Sequence, residues 1–198
     1  MLIAKTLSRD HRALEQLLDE LGAIASTEPQ QRLEVFTRLQ GLLQAHARAE
    51  EEVVYRALRQ AAPEEAQPLL AYEEHHVADL LLQELASAAP GHAEWVAKAR
   101  VLEEALRQHI KQEEITLFAL LDEHFDKAAQ AAMDKEFRAV KHQRLETLLG
   151  PLRRAMPAFA GRAVLPAQVL AAQLMRRGEL YLRRRRGSWR QGSGAAGG

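Results

Sequence analysis

Two segments of this chain carry a histidine followed one helical turn later by a glutamate: His46-x-x-x-Glu50 and His109-x-x-x-Glu113. Residues four apart on a helix lie one above the other, so each pair can present an imidazole and a carboxylate to the same side. Two more histidines, His11 and His75, stand singly on the stretches that precede these pairs. Imidazole and carboxylate together are the donor set for iron, manganese or zinc. Cysteine is absent, which excludes thiolate zinc sites, Fe–S clusters and disulfide frameworks.

The six residues fall in an internal repeat. Asp10-His11 corresponds to Glu74-His75, and His46-x-x-x-Glu50-Glu51 to His109-x-x-x-Glu113-Glu114; further on, Tyr55 pairs with Phe118 and Leu58 with Leu121. The chain reads as two copies of one helix hairpin. Each copy gives a lone histidine on its first helix and a His-x-x-x-Glu on its second.

The elements that must position these residues are helices. Leu, Ala, Glu, Gln and Arg dominate, aromatics make up only 5%, and β-branched residues are scarce, a composition of strong helix formers. Periodicity and punctuation predict helices over residues 4–25, 29–60, 63–89 and 93–125, with short connections that make sequential helices antiparallel neighbours. The expected fold is all-α: an up-down-up-down four-helix bundle over 1–125. A fifth helix over 126–150 stops at Gly150-Pro151, and a basic extension over 151–198 is partly helical with a disordered Gly/Ser-rich end.

The histidines lie on the predicted core stripes. His11 continues Leu7, Leu14, Leu18 and Leu21; His46 follows Leu39 and Leu42; His75 sits among Ala71, Ala78, Leu82 and Leu85; His109 follows Leu102 and Leu106. At ~1.5 Å per residue, His11 and His46 both lie roughly 22–27 Å from the turn between their helices, and His75 and His109 match them from theirs. All six side chains converge on one layer. A polar group in a leucine position costs on the order of 2–7 kcal/mol unless it is paired, so four imidazoles and two carboxylates at one level call for a cation between them. Two carboxylates bridging two metals, with two histidines on each, leaves coordination positions open for solvent or a small ligand. Val54, Tyr55, Leu117 and Phe118 are expected to wall that pocket. His76 competes with His75 for the inward position, and Glu51 or Glu114 can replace its neighbour or stand just outside. His92, His124 and His142 lie outside the repeat and read as surface or helix-end groups.

On these motifs the first 125 or so residues resemble the hemerythrin-like family, also called the HHE cation-binding domain. The resemblance implies a carboxylate-bridged non-haem di-iron centre, two iron ions with an oxo or hydroxo bridge, in preference to Mn or Zn. The oxygen-carrying members use five histidines, two of them four apart on the third helix. Here the positions four from His75 are Ala71 and Asp79, so the chain is closer to the four-histidine members. That implies a protein that binds or reacts with a small diatomic or peroxide ligand (O2, hydrogen peroxide or nitric oxide), in oxidative or nitrosative stress or iron homeostasis. The alternative is an oxygen or iron sensor signalling through the tail.

The formal net charge of zero conceals a division. Ten arginines and a single acid, Glu179, follow Gly150, a net +9 against −9 for the rest. The Arg183–Arg186 run can bind nucleic acid or an anionic membrane, but without interleaved aromatics the favoured reading is a tail folding onto the acidic body of its own or a neighbouring subunit. A homodimer is compatible with that. The start of the chain is too soon polar for a signal peptide, and no apolar run approaches the ~20 residues of a membrane span. The expected location is cytoplasmic.

Overall fold

Apolar side chains recur every three or four positions from the start of the chain, and the helices they imply are the ones that form. The computed structural model describes residues 1–25 and 27–155. Helix α1 spans Ile3–Ala23, and its buried face runs Ile3, Leu7, His11, Leu14, Leu18 and Leu21. Helix α2 spans Pro29–Ala49, with proline in its first turn where a missing N–H costs no ladder bond. It continues through a π-helical segment, Glu50–Tyr55, into α3, Arg56–Ala61. Helix α4 spans Gln67–Ser87 and α5 Ala93–Gln112. A second π segment, Glu113–Leu117, joins α5 to α6, Phe118–His124. Helix α7 spans Lys127–Ala155.

Two boundaries differ from expectation. The third predicted helix begins at Gln67, with Pro68 in its first turn, and Pro63 lies in the preceding turn; either proline satisfies the same start rule, and the later one prevails. Helix α7 also runs past Gly150-Pro151 to Ala155. A single proline removes one backbone bond and strains its turn without ending every helix that holds it. The predicted amphipathic stretch 166–186 and the arginine run lie outside the described residues.

Helix α1 packs on α2 and α5, and α4 packs on α5 and α2, which closes an antiparallel four-helix bundle; α7 lies across α1, α2 and the first π segment. The core is not continuous. Leu14, Leu18, Leu21, Val35, Phe36, Leu39, Leu82, Leu85, Trp95, Leu102 and Leu106 form one apolar cluster. Ile3, Leu7, Val53, Val54, Tyr55, Leu58, Ala71, Leu117, Leu121 and Phe137 form another. Between them lies the layer of His11, His46, Glu50, His75, His109 and Glu113, all buried. At the far end Arg32 donates to the carbonyls of Ile24 and Pro90 and lies 5.9 Å from the Trp95 ring centroid, tying the two loops there together. Among the described residues no helix is long and apolar enough to cross a membrane.

Candidate metal centre

The polar layer takes one residue from α1 (His11), one from α2 (His46), one from α4 (His75) and one from α5 (His109), and the two π segments open on Glu50 and Glu113. One donor atom from each of His11, His46, Glu50 and Glu113 lies within 4.8 Å of all the others, and Glu50, His75 and His109 form a second such group. The groups share Glu50. Within the first, Nε2 of His46 is 3.2 Å from Glu50 Oε2 and Nε2 of His11 is 3.4 Å from Glu113 Oε2. Within the second, Nε2 of His75 is 3.6 Å from Glu50 Oε2 and 3.0 Å from Nε2 of His109, which in turn is 3.3 Å from Glu113 Oε2. All six sequence-predicted residues therefore meet. His75 is the buried member of its pair, and His76 is only partly covered; His92 and His142 are exposed.

Every inward Nε2 is matched by a carboxylate on the opposite ring nitrogen. His11 Nδ1 lies 3.0 Å from Glu114 Oε1, His75 Nδ1 3.3 Å from Glu51 Oε1, and His109 Nδ1 2.7 Å from Glu74 Oε2. His46 Nδ1 is 3.5 Å from Asp10 Oδ2, a charge contact just short of hydrogen-bond geometry. A carboxylate only accepts, so these partners place a proton on Nδ1 and direct Nε2 toward the centre. Sequence reasoning left Glu51 and Glu114 between two roles, and the structure puts both outside the inner ring. It did not foresee Asp10 and Glu74 as partners, although the repeat carries the signal: an acid precedes each lone histidine.

The π segments were not legible either, and they matter. Five residues along an α-helix is a rotation of about 140° away from the starting face, but the wider π turn brings Tyr55 back over Glu50. The Tyr55 hydroxyl donates to Glu113 Oε1 and lies 3.5 Å from both Glu50 Oε2 and His75 Nε2. Its repeat partner Phe118 stacks on His11 at 6.3 Å between centroids. Val54 and Leu117 are fully buried beside them. The expected four walls are present, and one of them is polar.

Burial works against charging His46, but the negative charges of Glu50 and Asp10 overcome it and raise its pKa to about 9. Burial likewise opposes protonation of His109, and Glu113 and Glu74 override it, to about 10. Burial would lift the Glu113 carboxyl, yet His109 and His11 hold it well below the usual range. Burial, with Glu113 and Glu50 nearby, pushes the Tyr55 phenol well above its ordinary value of 10. At neutral pH the metal-free layer thus carries imidazolium charge in the place where a cation would sit.

Three inward atoms, His11 Nε2, Glu50 Oε1 and Glu113 Oε2, are buried without a hydrogen-bond partner. Orphaned acceptors converging from three helices, where burial normally forbids them, are what a cation would satisfy. The residues fit a metal.

Comparison with known proteins agrees. The family model for the Hemerythrin HHE cation binding domain matches residues 2–121. A crystal structure of a hemerythrin HHE cation-binding domain-containing protein from Mycobacterium kansasii shares the fold, with a TM-score of 0.69 at 20% identity over 88% of this chain and 99% of that one. A Nostoc protein described as a DNA nickase is 32% identical over 151 residues, 76% of this chain and 42% of the relative, so the chain spans less than half the length of that protein.

Proposed function

The chain belongs to the hemerythrin HHE cation-binding family, and on that footing we propose that it holds two iron ions and binds or reacts with O2, hydrogen peroxide or nitric oxide. His11 and His46 would hold one ion and His75 and His109 the other, with Glu50 and Glu113 each within reach of both pairs. The observation that supports this most is the set of four imidazoles, each with Nε2 turned inward and a carboxylate on Nδ1.

When bound, a pair of iron ions supplies the electrons and Lewis acidity for reduction of a small oxidant. The chain's own residues do the remainder. The apolar clusters on either side shield the layer from bulk water. The outer carboxylates fix each imidazole before anything binds. Tyr55 keeps its proton at neutral pH and holds Glu113 in place through it. Stress defence or iron homeostasis is the role such chemistry serves. Anaerobic loading with ferrous iron, followed by assays of peroxide and nitric-oxide consumption, tests the reading. Turnover lost in His109→Ala supports it, and a fully loaded protein that consumes neither and binds no O2 sinks it.

A second reading draws on the name of the Nostoc relative and on the ten arginines that follow Gly150: a metal pair acting on a DNA phosphodiester, with the basic segment holding the backbone. Nicked circles formed from supercoiled plasmid by the metal-loaded protein, but not by Glu50→Gln, would favour it. Intact plasmid removes it.

A further inference from the structure

Helix α7 lies beyond the residues 2–121 matched by the family, yet it reaches the metal layer. Lys141 Nζ donates to Asp10 Oδ2 at 2.5 Å, and the same oxygen is the one that faces His46 Nδ1. One turn earlier, Phe137 is fully buried with its ring edge-on to the His46 imidazole, at 5.8 Å and 80°. The Lys141 ammonium also lies 5.8 Å from the Phe137 ring centroid. Asp134, fully buried, accepts a hydrogen bond from Thr6 at 2.5 Å, which pins this stretch of α7 to α1.

The repeat makes the contrast sharp. Glu74 is the counterpart of Asp10 and serves His109 in the same way. Among the described residues no lysine or arginine pairs with Glu74, and its side chain is 29% exposed. The two halves of the layer are alike within the bundle and unlike in what backs them.

We propose that Lys141 and Phe137 are positioning residues for the His11–His46 half of the centre, so that docking of α7 sets cation affinity there and not at the His75–His109 half. Lys141 holds Asp10 at His46 Nδ1, and Phe137 fixes the plane of the ring. The inference rests on the two-ion reading given above. Because coupling is reciprocal, a cation in that half also strengthens the seat of α7, and α7 leads directly into the arginine-rich end of the chain.

The full-length protein, titrated with cobalt(II) as the probe and followed by its visible absorption, tests this. Lys141→Met should weaken one of the two ions by on the order of 10- to 100-fold, as loss of a ligand's outer partner typically does, and leave the other unchanged. Lys141→Arg should restore it, and Phe137→Leu should weaken the same ion. Unchanged binding in Lys141→Met overturns the proposal, as does equal weakening of both ions with no rescue by arginine. The metal-free chain gives an independent readout in the side-chain 1H–15N resonances of its histidines. Lys141→Met should move the His46 signal and leave His109 in place. If the wild-type chain fails to take two ions, the proposed function fails. If the His46 signal ignores Lys141→Met, this inference fails whatever the metal does.

Discussion

Glu51 Oε1 stands 3.3 Å from Nδ1 of His75, a histidine of the other hairpin. The reverse contact, Glu114 to His11 at 3.0 Å, is its repeat-related twin. The carboxylate that follows each inner glutamate therefore orients the lone histidine of the opposite hairpin, while Asp10 and Glu74 face the histidine of their own. Each hairpin completes the other.

Removing one of these crossed contacts should loosen the metal and spare the fold. Glu51→Ala is expected to weaken metal binding by on the order of 10- to 100-fold with helical content unchanged. Competition against a chromophoric chelator, alongside circular dichroism, measures both. Unaltered affinity would mean that the outer carboxylates do not orient the rings.

The metal-free protein should lose stability as pH rises. His46 and His109 have folded-state pKa values of about 9 and about 10, above the ordinary 6.5. Folding therefore favours their protonated forms. That contribution is complete below pH 6.5 and vanishes as pH passes through about 9 and 10. Together the two groups contribute several kcal/mol, so the melting temperature should fall by roughly 10–30 °C between pH 6.5 and pH 10. Metal-loaded protein should not share this loss, since the cation replaces the protons. Thermal melts of both forms across that range decide it.

The same protons must leave when metal enters. Loading both positions near pH 7 should release about two protons, and affinity should rise with pH up to about 10, where the His109 proton is lost. Calorimetric titration in two buffers of different ionisation enthalpy counts them. A buffer-independent heat contradicts the imidazolium description of the metal-free site.

Tyr55 is the donor to a fully buried Glu113, and losing it leaves that carboxylate one partner short. Tyr55→Phe should destabilise the metal-free protein by about 1–3 kcal/mol, read from denaturant unfolding. The penalty should shrink in the loaded protein, where a cation satisfies the same oxygens.

The inner ring was legible because its residues interrupt a leucine stripe: four histidines and two glutamates in core positions, related by a repeat, have few explanations. The bundle was legible for the same reason, through periodicity and prolines. The π segments were not, because the extra residue in a turn changes the phase of a face without any residue type that announces it. Tyr55 could be placed near the pocket but not over Glu50. The contribution of α7 was also hidden. Lys141 and Phe137 have no counterpart in the repeat, and a lysine on a predicted outer helix looks like any other until the packing brings it to Asp10.

Metal content per chain tests the central claim most directly. Protein reconstituted anaerobically with ferrous iron and freed of excess should contain about two irons per chain by elemental analysis, and the His46→Ala, His109→Ala double variant should retain well under half of that. A wild-type chain that takes up no stoichiometric metal, or a double variant that still holds two, would contradict the account.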